Sequence, residues 1–210
     1  MFIVIEGGNA SGKSTTIDRL LSTMNDGVFS GKKTVFLKAP TEPFDDMWQK
    51  IERDDIDVIT KYYFFRAIMQ NESNKTLKLL NNNCNVILET YLYETEAFDL
   101  TLATLENIDR VKIQKHFSYT DLLKPDMVFF LDIPYKERRR RIENRANGKQ
   151  IPFWEKDNFQ NIYNDVYREI AVREGFYMID TSKNTIDMTV NIIIEEIKKI
   201  KPTREALFFD

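Results

Sequence analysis

The residues best suited to chemistry lie in a glycine-rich segment near the amino terminus. The segment reads Gly7-Gly8-Asn9-Ala10-Ser11-Gly12-Lys13-Ser14, which fits G-x-x-x-x-G-K-[ST], and it directly follows a short apolar run. In this pattern the glycines let backbone amides turn inward around phosphate groups, the lysine supplies a cation, and the hydroxyl can ligate Mg²⁺. We therefore predict a nucleoside triphosphate site that continues to Thr15, with Lys13 as a catalytic cation and Ser14 as the metal ligand.

Two glutamates follow predicted strands. Glu42 lies in the segment after the second predicted strand, and Glu89 ends the third. Because the carboxyl ends of parallel strands meet at one edge of a sheet, we expect both carboxylates to converge where an acceptor would bind. There, one of them could accept a hydroxyl proton or orient Mg²⁺ through water. The alternative role for each is a charge that complements a helix dipole.

Three arginines share one face of a predicted helix that follows the fourth strand. Arg138, Arg141 and Arg145 are spaced i, i+3 and i+7. A mobile helix that carries them could close over the γ-phosphate and neutralise charge in the transition state. The alternative is a solvated basic face or a nucleic-acid patch. Beside a phosphate loop we favour a lid over about 138–155, and we assign a catalytic role to these three arginines.

The spacing of apolar residues predicts the elements that must position these side chains. Short apolar runs without clear alternation are typical of parallel strands buried on both faces. They are 2–6, 34–38, 85–89, 127–132 and 176–180. Helical periodicity lies between them, with the clearest stretches at 14–24, 56–80 and 186–197. Strands that alternate with helices predict a doubly wound α/β sheet, with functional loops at the carboxyl ends of the strands.

The amino-acid composition argues against several classes of protein. The chain has 210 residues, 30 Lys and Arg against 33 Asp and Glu, one histidine and one cysteine. The near balance of charge argues against non-specific nucleic-acid binding, and the lone cysteine excludes an internal disulfide or a usual zinc site. No apolar run is long enough to cross a membrane, and the amino terminus lacks the pattern of a signal peptide. We expect a cytoplasmic protein with one domain over 1–200 and a tail over 201–210.

The order of these segments along the chain resembles the thymidylate kinase family. The segments that carry the resemblance are 2–7 with the phosphate loop, Thr41-Glu42-Pro43, Val86-Ile87-Leu88-Glu89, 125–134, the arginine helix and 173–180. The resemblance implies a three-layer P-loop fold with a five-stranded parallel sheet in the order 2-3-1-4-5. It also implies transfer of the ATP γ-phosphate to a nucleoside monophosphate, with dTMP as the best candidate, dependence on Mg²⁺, and often a homodimer.

The same resemblance implies several substrate-binding residues. Tyr62 and Arg66 have the spacing of the aromatic residue and arginine that meet the base, although Phe65 and Met69 share that spacing. Phe98 falls where the family places an aromatic side chain beside the nucleoside. Thr90 and Tyr91 occupy the end of the third strand, where the family binds its acceptor. Lys183 lies in the loop that would cup adenine. Tyr62 and Phe98 could equally be core aromatics.

Four departures from the family pattern leave other functions open. Thr41 and Thr90 replace arginines that would hold the acceptor's phosphate, while Asn9 and Ala10 replace acidic or arginine residues in the loop. Loss of a bidentate cation removes a charge-assisted contact. One alternative is a deoxynucleoside kinase, which Thr41-Glu42-Pro43 with Trp48 also resembles and in which Glu42 would deprotonate a 5′-hydroxyl. A further alternative is a regulator that binds nucleotide without turnover.

Overall fold

The computed structural model describes residues 1–23, 31–47, 51, 56–111, 121–146 and 157–200. Five strands form one parallel sheet. They are β1 (Phe2–Glu6), β2 (Thr34–Lys38), β3 (Asn85–Glu89), β4 (Met127–Asp132) and β5 (Tyr177–Asp180). The strand order is β2-β3-β1-β4-β5, as the resemblance implied. The first four strands have the predicted bounds, and β5 begins one residue later than predicted.

Six helices lie between and after these strands in the described residues, and two of them follow one another between β4 and β5. They are α1 (Lys13–Thr23), α2 (Val58–Asn81), α3 (Leu92–Leu105), α4 (Tyr135–Ala146), α5 (Asp157–Arg173) and α6 (Ile186–Lys199). The start of α2 is set by Asp57, whose side chain accepts a hydrogen bond from the Thr60 amide at 3.0 Å. The alternation of strands and helices confirms the predicted α/β class.

Each face of the sheet has its own apolar core. Alternate residues of β1 illustrate the division: Phe2 and Val4 pack with α2, α3 and α5, whereas Ile3 and Ile5 pack with α1 and α6. Helices therefore cover both faces, which makes three layers. Burial on both faces also explains why the strands read as continuous apolar runs rather than as alternating patterns.

The strand order determines where a ligand can enter. β1 lies between β3 and β4 and pairs with both in parallel, with Ile3 opposite Ile87 on one side and Met127 on the other. The connection after β1 leads to β2 on one side of the sheet, whereas the connection after β3 leads to β4 on the other side, so a crevice opens at the carboxyl end of β1. The segment that follows β1 is the predicted phosphate loop, which therefore lies in that crevice.

Some predicted segments lie wholly or partly outside the described residues. Of the predicted lid, only the part up to residue 146 is described, as the body of α4. Trp48 and the tail 201–210 are not among the described residues. None of the helices in the described part of the chain is both long enough and apolar enough to cross a membrane.

Candidate functional site

The glycine-rich segment forms a loop between the end of β1 and the start of α1. Gly7 and Gly12 have φ angles of 146° and 99°, a region that side chains rarely adopt. A Cβ atom on Gly7 would lie 2.6 Å from the Leu131 carbonyl oxygen and 2.7 Å from Ser11 Oγ. Position 7 therefore requires glycine, and the loop meets the N-terminus of α1, where backbone amides favour an anion.

Lys13, the first residue of α1, places its ammonium group against this loop. Its Nζ donates a hydrogen bond to the Gly7 carbonyl oxygen and lies 3.8 Å from Glu94 Oε1. Glu94 belongs to the first turn of α3. The sequence motif identifies Lys13, but only the fold shows that the Glu94 carboxylate lies beside it.

Ser14 and Glu89 meet at the floor of the site. Ser14 Oγ donates a hydrogen bond of 2.8 Å to Glu89 Oε1, and Lys38 Nζ lies 3.8 Å from the other carboxylate oxygen. A hydroxyl and a carboxylate are the hard oxygen ligands that Mg²⁺ prefers. No group of three His, Cys, Asp or Glu side chains suited to a metal occurs in the described part of the chain. Mg²⁺ typically takes one or two protein ligands, with phosphate and water as the rest, and the Ser14 hydroxyl and the Glu89 carboxylate are ligands of that kind.

A cavity of about 560 Å³ opens beside the loop. Most of the predicted loop residues line it, together with four other predicted residues. The predicted residues that line it are Gly8, Asn9, Ala10, Gly12, Lys13, Ser14, Thr15, Glu89, Thr90, Phe98 and Arg145. The structure thus gathers residues from the loop after β1 and from β3, α1, α3 and α4 around one space, as expected for the carboxyl edge of the sheet.

The α2 side of this cavity differs from the expectation. Tyr62 is buried and does not line the cavity, and Arg66 forms an ion pair with Asp121 instead. Phe65 and Met69 line the cavity in their place, together with Ile68. Both pairs have the i, i+4 spacing, and the rotation of α2 against the sheet, which spacing does not specify, places Phe65 and Met69 on the cavity side.

Glu42 also lies away from the cavity. Its side chain is exposed and is not among the cavity-lining residues. Its carbonyl oxygen instead accepts hydrogen bonds from Asn71 Nδ2 at 3.1 Å and Lys75 Nζ at 2.5 Å. These contacts fasten the segment after β2 to α2 through its backbone. The predicted convergence of Glu42 with Glu89 is therefore not present, and Glu94 is the second carboxylate at the site.

The three predicted lid arginines have three different environments. Arg138 is buried and bonded to α5, so it lies under the loop and not on a lid surface. Arg141 donates to the carbonyl oxygens of Ala10 at 3.2 Å and Thr181 at 2.9 Å. Arg145 lines the cavity. The spacing of the three arginines predicts a common face of α4, but the depth to which each side chain is buried depends on how α4 packs against α5.

Two further predicted residues do not reach the cavity. Tyr91 is fully buried and packs edge-on against Phe2, with 5.5 Å between ring centroids, and burial raises its phenol pKa to about 12. Lys183 is exposed and pairs with Asp180 at 3.0 Å. Neither side chain is among the cavity-lining residues. Thr90 does line the cavity, with a φ of 67° that is unusual for a β-branched residue.

Glu6 is a buried carboxyl under the loop that the motif does not reveal. It is 0% exposed, and its two oxygens accept hydrogen bonds from the Tyr91 amide at 3.0 Å and the Tyr167 hydroxyl at 2.6 Å. Burial raises its pKa from 4.5 to about 7, and the nearby charge of Glu94 adds to that effect. The carboxyl therefore joins the end of β1 to β3 and α5 directly behind the phosphate loop.

Comparison with known proteins identifies the family of the chain. A family model described as thymidylate kinase matches residues 5–193. The chain belongs to the thymidylate kinase family. A probable thymidylate kinase of Methanocaldococcus jannaschii is 29% identical over 206 residues, which cover 95% of this chain and 97% of that protein. The thymidylate kinase of Plasmodium falciparum is 26% identical over 210 residues, which cover 99% and 94%.

Solved structures share the fold. Thymidylate kinase from Candida albicans is similar with a TM-score of 0.72 and 22% identity, over 94% of this chain and 90% of that one. Deoxyadenosine kinase from M. mycoides is similar with a TM-score of 0.67 and 21% identity, over 95% and 100%. Membership of the thymidylate kinase family makes this chain a nucleotide kinase, and its loop, cavity and Ser14–Glu89 pair lie where the fold supports phosphoryl transfer.

Replacement of Glu6 by Gln should remove a pH-dependent part of the stability. The folded-state pKa of Glu6 is raised to about 7, so its contribution is fully present below the ordinary value of 4.5 and is lost as pH rises through about 7. Urea titrations should show the free energy of unfolding of the wild type falling, relative to Glu6→Gln, by about 3 kcal/mol between about pH 4 and about pH 8.

Glu195→Gln, at an exposed residue of α6, serves as the matched control for this experiment. Its difference from the wild type should stay small over the same range, because its carboxylate remains in solvent. A constant difference between the wild type and Glu6→Gln across the range would show that Glu6 titrates normally in the folded protein.

Proposed function

We propose that the chain uses Mg²⁺ to transfer the γ-phosphate of ATP to a nucleoside monophosphate, with dTMP as the preferred acceptor. The observation that carries this proposal is the 2.8 Å hydrogen bond between Ser14 and Glu89 at the foot of the phosphate loop. It joins a loop built for phosphate to a carboxylate on the neighbouring strand, beside a cavity of about 560 Å³. Family membership over residues 5–193 supports the same reaction.

Ser14 and Glu89 would hold Mg²⁺, directly or through water. When bound, Mg²⁺ neutralises charge on the phosphate oxygens and helps to align them. The loop amides would surround the phosphates, and Lys13 would exchange its contact with the Gly7 carbonyl oxygen for a phosphate oxygen. In phosphoryl transfer most of the catalysis comes from such positioning and charge stabilisation, because the protein forms no bond to the group transferred.

Arg141 and Arg145 would stabilise charge on the side opposite to Lys13. Arg141 already bridges the carbonyl oxygens of Ala10 and Thr181, so it connects the phosphate loop to the segment after β5. Arg145 is one helical turn further along α4 and lines the cavity. Movement of α4 toward the loop would bring both guanidinium groups to the phosphates and would exclude water.

The acceptor would occupy the apolar end of the cavity. Phe65, Ile68, Met69 and Phe98 line this end and offer flat and flexible surfaces for a base and sugar. Lys38 is a cation that lines the cavity and could meet an acceptor phosphate. The Nζ of Lys38 lies 3.8 Å from the Glu89 carboxylate, so Lys38 would lie between the apolar end of the cavity and the end beside the phosphate loop.

One observation favours a deoxynucleoside kinase as the alternative. Thr41 does not line the cavity, because its hydroxyl donates to Glu72 at 2.8 Å and accepts from Lys75 at 2.7 Å. Arg145 is the one arginine among the described residues that line the cavity. A free nucleoside brings no phosphate of its own and needs no arginine to hold one, although deoxynucleoside kinases also normally have an arginine where this chain has Thr90. It does need a base for its 5′-hydroxyl, and Glu89 or Glu94 could act as that base.

A panel of acceptors separates these functions. Release of ADP from ATP and Mg²⁺ should be measured with dTMP, dUMP, other nucleoside monophosphates and free deoxynucleosides. We expect turnover with monophosphates and the highest kcat/KM with dTMP. Turnover with nucleosides alone would replace the proposal by the deoxynucleoside kinase. Nucleotide binding without turnover on any acceptor would indicate a regulator.

Lys13→Ala should abolish transfer while the protein stays folded. The ammonium group would stabilise charge that develops in the transition state, so its loss should lower kcat by about a hundredfold or more. Lys198→Ala is the matched control, because Lys198 is an exposed lysine of α6 that pairs with Glu195. Activity of Lys13→Ala within a few-fold of the control would contradict the assignment of the phosphate loop.

Thr90→Arg should improve binding of a monophosphate acceptor. Position 90 lines the cavity, and arginine there could form charge-assisted hydrogen bonds with the acceptor phosphate. We expect a lower KM for the monophosphate, by about tenfold, with the KM for ATP unchanged. An unchanged KM for the monophosphate would mean that residue 90 does not face the acceptor's phosphate.

A further inference from the structure

Arg138 is a buried cation held by neutral groups. It is 2% exposed, and its Nη1 donates to the side-chain amide oxygens of Gln160, at 2.6 Å, and of Asn164. Its Nε is buried and has no hydrogen-bond partner among the residues that the structure describes. Both acceptors lie on α5, four residues apart, so one face of that helix carries the guanidinium. Amide oxygens can accept these hydrogen bonds, but they bring no negative charge.

The guanidinium packs directly against the phosphate loop. A Cβ atom on Gly8 would lie 2.6 Å from Nη2 of Arg138 and 2.9 Å from its Cζ. The loop can pass this close only because residue 8 is glycine. Gly8 itself lines the cavity, whereas Arg138 does not. Arg138 thus lies behind the loop, with one residue of backbone between its charge and the cavity.

The two carboxylates that act on Arg138 already have other cations. Asp132 accepts hydrogen bonds of 3.1 Å from Arg168 Nε, and Glu94 lies 3.8 Å from Lys13 Nζ. Burial lowers the pKa of Arg138 to about 10, so the side chain is charged at neutral pH. The described residues form no ion pair with it. A buried cation without a paired anion is costly, so an anion bound at the neighbouring loop would stabilise it.

We propose that Arg138 is a positioning residue whose counter-ion is the phosphate chain of the nucleotide in the loop. The proposal rests on the binding of ATP at this loop, and it gives Arg138 a role different from that of Arg141 and Arg145. Through Gly8, the buried charge holds the loop and raises the positive potential at the phosphates. Its effect is strong because little solvent lies between the guanidinium and the loop.

This role predicts that variants bind phosphate more weakly but keep their stability without ligand. A residue that serves only the fold would lower the unfolding temperature Tm when it is altered, with little specific effect on phosphate affinity. If the partner of the buried cation is a ligand anion, removing or neutralising the cation should weaken phosphate binding. The ligand-free protein should then keep its Tm. The two effects can be measured independently.

The test compares Asn164→Asp and Arg138→Met with the wild type. Asn164→Asp keeps the size of the side chain and gives Arg138 a carboxylate partner inside the protein. Arg139→Met is the control, because Arg139 is an exposed neighbour that pairs with Glu143 and Asp157. Affinities for ATP and for inorganic tripolyphosphate are measured by calorimetry, together with the Tm of each ligand-free protein and the KM of each substrate.

We expect Asn164→Asp and Arg138→Met to bind both ligands about tenfold to a hundredfold more weakly than the wild type. The Tm of ligand-free Asn164→Asp should equal or exceed that of the wild type. The KM for ATP should rise in both variants while the KM for the acceptor stays unchanged, and Arg139→Met should match the wild type throughout.

Three results would overturn the proposal. If the wild type binds ATP and folded Asn164→Asp binds it within about twofold of the wild type, the counter-ion role of Arg138 is wrong and the proposed function stands. If the wild type binds neither ATP nor tripolyphosphate, the proposed function fails and the role of Arg138 fails with it. Unfolded Arg138→Met together with unchanged affinity in Asn164→Asp would assign Arg138 to the fold alone.

Discussion

The position of the phosphate loop depends on one buried carboxyl, that of Glu6. Its two hydrogen bonds connect the last residue of β1 to the start of the segment after β3 and to the middle of α5. The loop begins at the next residue, so its starting point is fixed from three directions. Lys13 and Ser14, at the other end of the loop, then face carboxylates that come from α3 and β3. A polar group in an apolar core has few other hydrogen-bond partners, so these hydrogen bonds specify one position for the start of the loop.

Helix α5 supports the loop at several points on one face. Tyr167 holds Glu6, Tyr163 approaches Glu94 at 3.4 Å, and Asn164 with Gln160 holds Arg138. These residues recur at helical spacing, so they share the face that packs beneath the loop. α5 also follows the arginine helix along the chain. Through Arg138, α5 contacts α4 as well as the phosphate loop.

The elements near the loop could be predicted from sequence because their signals are local. The run from Phe2 to Ser14 contains a strand, a glycine turn and a helix start, and each depends only on neighbouring residues. The acceptor side could not be predicted as well. Tyr62 with Arg66 and Phe65 with Met69 have the same spacing, and only the packing of α2 selects the second pair. Arg138 looks like a surface arginine in sequence, and only α5 shows that it is buried. Glu42 has a plausible position along the chain, yet its side chain is exposed and does not line the cavity.

The central claim is that this loop, with Ser14 and Glu89, binds the phosphates and Mg²⁺ of the donor. A crystal structure with Mg²⁺ and a non-hydrolysable ATP analogue tests it most directly. The account predicts phosphates surrounded by the amides of residues 8–14, and a metal ion contacted by Ser14 Oγ and reached by Glu89 directly or through water. Phosphates bound outside the loop, or a metal ion remote from both side chains, would contradict it.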